Sequence, residues 1–325
     1  CRTLMQEQCD FPEDYDVAGE MDKLHLHEAE SPDLRIETQV KLYELSPDQL
    51  ESLVKKMCHG SSAGRTGWTE ELLRPVLAAE RTRRQMTAII QMIINDEVAP
   101  EIRQRINAAR LIAVPKPPKQ KGDKPGIRPI TVNECFRKIA QAVAVKSVSE
   151  SAIRHFDGLQ YGISVEGGCE ILNHRISKGI TDCRILVALD AKNAFNTPWR
   201  AAIAAELRRN PQFHSLVNQW NFCYSKHTEL HFRRGDTEKV IMSQRGTRQG
   251  DVLGAFLFAL VIHPVLVEAK ETFGHEVEIM AYLDDITLIG NNSASMKACV
   301  ELIDQRFNRL GIELNPSKCE WFHQC

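Results

Sequence analysis

The sequence has no C-x-x-C pair, and its 10 cysteines follow no regular spacing, so neither a zinc module nor a disulfide framework is indicated. A reducing compartment, nuclear or cytoplasmic, is the expectation. An uninterrupted apolar run of membrane-spanning length is also missing. The longest, 252-VLGAFLFALVIHPVLV-267, is broken by His263 and Pro264 and falls short of the ~20 residues that cross a bilayer. It reads as a buried core helix, with no membrane among the partners. No signal peptide opens the chain, which begins on Cys1 rather than Met and reads as a piece of something longer. Net charge is scarce too, at −2, which taken alone argues against a nucleic-acid partner.

What is present qualifies that last point. With 325 residues, 43% of them apolar and 26% charged, the chain can build two or three subdomains around a real core. Its charge is unevenly placed. Residues 1–50 carry 13 Asp/Glu against 4 Lys/Arg, which leaves +7 for residues 51–325. Residues 101–155 hold 12 basic and 4 acidic residues, the kind of block that phosphate binding needs.

Residues 1–45 are acidic and weakly periodic, and read as an extension or linker with one short helix. Ser46-Pro47 opens a helical segment to about Met57, and Thr69 caps a second helical region beginning 69-TEELLRPVL-77. Two short strands flank the Lys/Pro/Gly-rich loop in 110-RLIAVPKPPKQKGDKPGIRPITV-132, and one helix is predicted from about Glu134 to His155. Further on, 184-RILVALDAKNAF-195 is an apolar strand ending in a carboxylate, and 198-PWRAAIAAELRR-209 is a helix with Pro198 in its first turn. A hairpin is predicted around Arg234-Gly235-Asp236. Asp251 is read as the cap of an apolar helix over 252–269, 276-EVEIMAYL-283 and 285-DITLIG-290 as a second hairpin, and 293–310 as a helix stopped by Gly311. The order from Arg184 onward, strand, helix, insertion, helix, hairpin, helix, strand, suits an α+β domain, an antiparallel sheet with helices on one face.

Two adjacent aspartates, Asp284 and Asp285, sit where the second hairpin turns. Asp is a favoured turn residue, so a plain turn accounts for the pair equally well. The other reading brings in Asp190 at its strand end. If the two strands are neighbours, three carboxylates converge, which is electrostatically unfavourable unless divalent cations sit among them. Oxygen ligands without His or Cys select Mg²⁺, with Mn²⁺ as its substitute. Two such ions would clamp the attacking and leaving oxygens of a phosphoryl transfer. The string 246-GTRQGDVLGAF-256 sets two glycines and a Gln ahead of a helix N-terminus, where a nucleotide could meet them; an ordinary loop and cap is the alternative. The loop 115-PKPPKQKGDKPGIRP-129 offers Lys116, Lys119, Lys121, Lys124 and Arg128 as phosphate-binding cations or as a solvated basic loop.

The ordered set IRPITV (127–132), LDAKNAF (189–195), GTRQGD (246–251), YLDD (282–285) and GIELNPSKCE (311–320) resembles the motif series of reverse transcriptases. It is most similar to non-LTR retrotransposon enzymes and covers roughly 60–320. The resemblance implies a right-hand polymerase fold: an N-terminal extension to residue 45, mainly fingers over 46–180 with the start of the palm, and palm over 181–325. Residues 210–245 would be an insertion packing toward the fingers, and the thumb is expected beyond Cys325. It implies an RNA-directed DNA polymerase acting on an RNA template, a DNA or RNA primer and dNTPs. Asp190, Asp284 and Asp285 would be the catalytic carboxylates, holding two Mg²⁺ ions with the carbonyl of Ala191. Phe195 would be the steric gate beneath the incoming sugar. Gln249 and Gly250 would line the nucleotide pocket, Arg128 with Lys116 would hold the triphosphate, and Lys318 would be the general acid for the departing pyrophosphate.

Two departures stand out. The family more often carries Ala where Leu283 lies, and 158-GLQYGISVEGG-168, similar to a template-contacting loop, lacks the usual Arg. An RNA-templated RNA polymerase shares the carboxylate arrangement but is opposed by Phe195, since that class must admit a ribose 2′-hydroxyl. A domesticated RNA-binding scaffold would be expected to lose carboxylates first, and all three are in place.

Overall fold

Buried and half-buried side chains alternate along 109-ARLIAVPK-116, the period-two pattern of a strand with one face on a core. The computed structural model describes residues 11–12, 14–30, 33–36, 40, 42–57, 60–116, 125–182 and 184–323. Among them are eight strands: β1 (Ala109–Lys116), β2 (Gly126–Val132), β3 (Ile185–Leu189), β4 (Thr228–Arg234), β5 (Thr237–Ser243), β6 (Val277–Tyr282), β7 (Asp285–Gly290) and β8 (Glu320–Phe322). The chain divides into two compact units. One is Cys1–Ser147 with His214–Leu253, the other Val148–Phe213 with Gly254–Cys325.

The first unit holds a sheet in the order β2-β1-β4-β5. Its two hairpins are antiparallel, but β1 and β4 run parallel, so this sheet is mixed; the antiparallel sheet expected from the sequence was that of the elements from Arg184 onward. A parallel neighbour needs a long crossover, and the helices between β2 and β4 supply one. The β4–β5 hairpin closes with Arg234 opposite Thr237, so Gly235 and Asp236 form its two-residue turn; Gly235 has φ +56°.

The acidic N-terminal segment is no detached linker where it is described. Asp16 caps the helix Val17–Lys23, and Phe11, Val17 and Met21 are buried with Leu111, Leu230 and Phe232 in one core cluster. Asp22 pairs with Lys239 at 2.8 Å, and Arg234 donates to the carbonyl of Phe11. One carboxylate of this acidic segment is therefore set against Lys239 of the β4–β5 hairpin. The expected caps at Ser46 and Thr69 are present, the first as a complete capping box with Gln49.

The helix expected over 134–155 is two helices, Cys135–Ser147 and Ser149–Phe156, and the division between the units falls at this break. Val148 leaves helical geometry there with φ −108°, ψ 5°. Pro198 lies outside its helix, which is Arg200–Arg209 with Trp199 at the N-cap.

The second unit holds an antiparallel sheet in the order β6-β7-β3-β8. Helix Gly168–Thr181 lies on the face of Leu186, Met280 and Ile289; a Cβ on Gly179 would come 3.0 Å from Ile289. The opposite face, with Ile185, Val187, Leu189, Ile286 and Leu288, is buried as well. Burial on both faces of β3 and β7 replaces the expected one-sided sheet. Helix Val252–Phe273 runs 22 residues, passing through Pro264 and beyond the expected end at 269. Its length and composition would suit a membrane span, but 72% of its apolar window is buried in the protein, as in a core helix.

Candidate functional site

The strand register decides where the carboxylates go. Leu189 of β3 pairs with Ile286 of β7, so continuing the register sets Asp190, just past the end of β3, opposite Asp285, the first residue of β7. Burial, and then the charge of Asp190, push the Asp285 carboxyl above the usual aspartate range. Asp284 lies beside it in the two-residue turn Leu283-Asp284, since Tyr282 pairs with Asp285. The structure therefore brings Asp190 and Asp285 together and sets Asp284 next to them. No group of three or more His, Cys, Asp or Glu side chains in a metal-holding arrangement forms among the described residues.

The end of β3 is stitched to the segment after helix Ser293–Leu310. Asn315 N–H donates to the Asp190 carbonyl at 2.7 Å, Lys192 N–H to Glu313 at 2.8 Å, and Ala191 bridges to Leu314. These bonds carry Lys318 to the site, its Nζ 3.4 Å from Asp190 Oδ2. That oxygen is buried and accepts no hydrogen bond among the described residues. A buried carboxylate oxygen that accepts no hydrogen bond, close to a second carboxylate and with the Lys318 ammonium beside it, supplies the hard oxygen donors that a divalent cation takes. Phe195, in the short 3₁₀ turn Ala194–Asn196, is partly exposed, and its ring lies 4.9 Å from that of Phe258, a core residue of the same unit.

The remaining expected residues belong to the first unit. Arg128 is exposed on β2. Lys116 pairs with Gly126, and Arg128 is two residues on, so both cations share one face of the β1–β2 ribbon. Lys119, Lys121 and Lys124 lie outside the described residues. Thr131 N–H donates to the Gln249 carbonyl at 3.1 Å, which ties the Gln249-Gly250 turn to the strand that carries Arg128. Gly250 has φ +95°, and a Cβ there would stand 3.0 Å from the Thr131 carbonyl, so glycine is required on both counts.

Of the residues flanking this turn, Asp251 was expected to cap the following helix and Arg248 was given no role. Asp251 does not cap the following helix. Its Oδ2 accepts from Arg137, at 2.5 Å, and from the Tyr224 hydroxyl, while its Oδ1 accepts nothing among the described residues. Burial, and then Asp251, hold the Tyr224 hydroxyl well above its usual pKa, so it stays a donor. Arg248 is buried with its guanidinium on Asn133, the Asn107 carbonyl and Thr228. Arg248 and Asp251 thus point inward and anchor the turn at both ends, and Gln249 between them is only partly buried. In the second unit the overlooked residue is Gln160, whose amide bonds to both backbone groups of Leu283. A glutamine between Leu159 and Tyr161, ahead of a glycine, was the one available signal.

The profile of the family described as reverse transcriptase (RNA-dependent DNA polymerase) matches residues 114–325. Among individual proteins, the retrotransposable element SLACS 132 kDa protein of Trypanosoma brucei gambiense is 28% identical over 271 residues, 83% of this chain and 22% of the relative. The retrovirus-related Pol polyprotein from type-1 retrotransposable element R2 of Popillia japonica is 23% identical over 205 residues, 59% of this chain and 29% of the relative. Its counterpart in Nasonia vitripennis is 24% identical over 225 residues, 65% of this chain and 21% of the relative. The chain spans less than a third of the length of each of these proteins.

Proposed function

As the chain belongs to the reverse transcriptase (RNA-dependent DNA polymerase) family, we propose that it is the polymerising core of a non-LTR retrotransposon protein and extends a primer with deoxynucleotides opposite an RNA template. The observation that carries this reading is the juxtaposition of Asp190 and Asp285 at one end of the β3–β7 ladder, with Asp284 adjoining and Lys318 on Asp190. In this reading the second unit is the palm of a right-hand polymerase, and the first unit provides the fingers with the acidic segment packed on them.

Asp190, Asp284, Asp285 and the Ala191 carbonyl would hold two divalent cations, Mg²⁺ or Mn²⁺, which supply Lewis-acid activation of the primer hydroxyl and neutralise charge developing on the phosphoryl group. In the reaction the primer 3′-oxygen loses its proton to solvent and bonds to the α-phosphorus, and the bond from that phosphorus to its bridging oxygen breaks. Lys318 gives a proton to the departing pyrophosphate. Arg128 and Lys116 bind triphosphate oxygens, and Gln249 with Gly250 lines the base and sugar. The Phe195 ring excludes a 2′-hydroxyl, which fixes the product as DNA.

The test is extension of one labelled primer on RNA and on DNA templates, with dNTPs or rNTPs, with Mg²⁺ or a chelator. Chelator-sensitive dNTP addition on the RNA template is the expected result. Incorporation of rNTPs in preference to dNTPs, or nucleic-acid binding with no extension under any condition, would overturn the reading.

A further inference from the structure

The turn that carries Asp284 is built on an unfavourable backbone. Leu283 has φ +55°, in the left-handed region that residues with a Cβ avoid, while its partner in the two-residue turn is not in that region. Turns with this sign pattern normally put glycine in the first position. Here a branched side chain stands there, so something outside the turn must hold it.

Gln160 does so from the second unit itself. Leu283 N–H donates to Gln160 Oε1 at 2.7 Å, and Gln160 Nε2 donates to the Leu283 carbonyl at 3.3 Å. A single buried side chain, 1% exposed, therefore grips both backbone groups of the strained residue. Its own placement is fixed twice. The segment around it adds to the free edge of β6: Tyr161 N–H donates to the Ala281 carbonyl and Ala281 N–H to the Leu159 carbonyl, both at 2.7 Å. The amide oxygen also accepts Gly162 N–H at 3.1 Å, which sets its rotamer. Gly162 has to be glycine for this fit, since a Cβ there would stand 2.9 Å from both the Leu283 nitrogen and its Cγ.

We propose that Gln160 is a positioning residue that locks the Leu283-Asp284 turn, and with it the directions of Asp284 and Asp285, before any ligand arrives. The proposal rests on the reading of those carboxylates as the reacting ones. It assigns to 158-GLQYGISVEGG-168 a role in the geometry of the carboxylate turn, where the resemblance suggested template contact. Buried amide groups that lose their partners are costly, and a reacting group displaced by about 1 Å can lose ~10²-fold in rate.

The experiment uses the full chain and three variants. Gln160→Met keeps the side-chain length without the hydrogen bonds, Gln160→Glu keeps the acceptor oxygen, and Gly162→Ala crowds the clamp if Gln160→Met does not fold. Amide hydrogen exchange on metal-free protein is read over residues 281–286, and single-turnover primer extension gives kcat and KM for dNTP. The expected result for Gln160→Met is exchange at Leu283 faster by about tenfold or more, kcat lower by ~10²-fold and KM nearly unchanged. Gln160→Glu should fall between it and the wild type in both measurements. Unchanged exchange at Leu283, or faster exchange with wild-type kcat, overturns the proposal. Asp284→Asn separates the two claims. If that variant is inactive while Gln160→Met turns over normally, only the clamp falls; if it is active, the carboxylate reading falls first.

Discussion

Lys318 Nζ lies 3.4 Å from Asp190 Oδ2, although 128 residues separate the two in the sequence. The ammonium is delivered by the backbone bonds from Asn315 and Lys192 that sew the segment after helix Ser293–Leu310 to the end of β3. A cation in this position partly offsets the repulsion between Asp190 and Asp285, and under the proposed mechanism it would also serve as the proton donor to the leaving oxygen.

These two duties separate by substitution. Lys318→Ala should lower kcat for nucleotide addition by about 10²-fold, the usual scale of general acid catalysis, with little change in primer-template affinity. Lys318→Arg keeps the charge but not a transferable proton, so it should match the wild type in thermal stability while remaining as slow as the alanine variant. Rapid-quench single-turnover rates and thermal melts on the same preparations check this. Wild-type kcat in Lys318→Arg would remove the general-acid role.

Asp285 predicts a stability that depends on pH in metal-free protein. Its folded-state pKa is raised, by burial first and by Asp190 second, so folding favours its protonated form. The wild type therefore loses stability as pH rises from the ordinary aspartate value, about 3.9, through the raised folded value, and stays lower above it. Asp285→Asn cannot make that loss. Its unfolding free energy should equal that of the wild type in acid and exceed it at neutral pH, by at most about 1 kcal/mol because the side chain is exposed enough to be screened. Melts in chelator across pH 3–7 measure the gap, and excess Mg²⁺ should narrow it by stabilising only the wild type.

In the proposed reading, Phe195 sets the choice of product. Its ring leans on Phe258, which fixes its direction while leaving it partly exposed. Phe195→Ala should raise ribonucleotide incorporation by about ten- to hundredfold, the scale of one mismatched hydroxyl, with a modest fall for deoxynucleotides. Comparing kcat/KM for one dNTP and its matching rNTP on the same primer decides it. Equal losses for both would make the ring a packing residue.

The parts legible in the sequence were those written locally. Alternation marked the β4–β5 hairpin, short apolar runs marked the strand ahead of Asp190 and the hairpin that turns at Asp284, and the caps at Ser46 and Thr69 were readable from a residue and its neighbours three positions on. What stayed hidden depends on distant partners. Arg137 and Asp251 look like surface charges until a chain separation of 114 residues is closed, and Asp251 then serves a buried arginine and tyrosine rather than a helix end. Gln160 is 123 residues from Leu283, and no periodicity in either segment announces the contact. The break at Val148 was hidden for a different reason, as no proline or glycine marks it. The second covered face of β3 and β7 escaped because a strand buried on both sides reads as a continuous apolar run, whichever elements cover it.

The most direct test of the carboxylate site is Asp284→Asn, which changes one oxygen to nitrogen in the turn between β6 and β7. Single-turnover extension of a primer on an RNA template, with Mg²⁺ saturating and primer-template binding measured separately, should show a rate at least ~10³-fold below the wild type, with binding nearly intact. A rate within about tenfold of the wild type would contradict the assignment of Asp284 to the reacting centre.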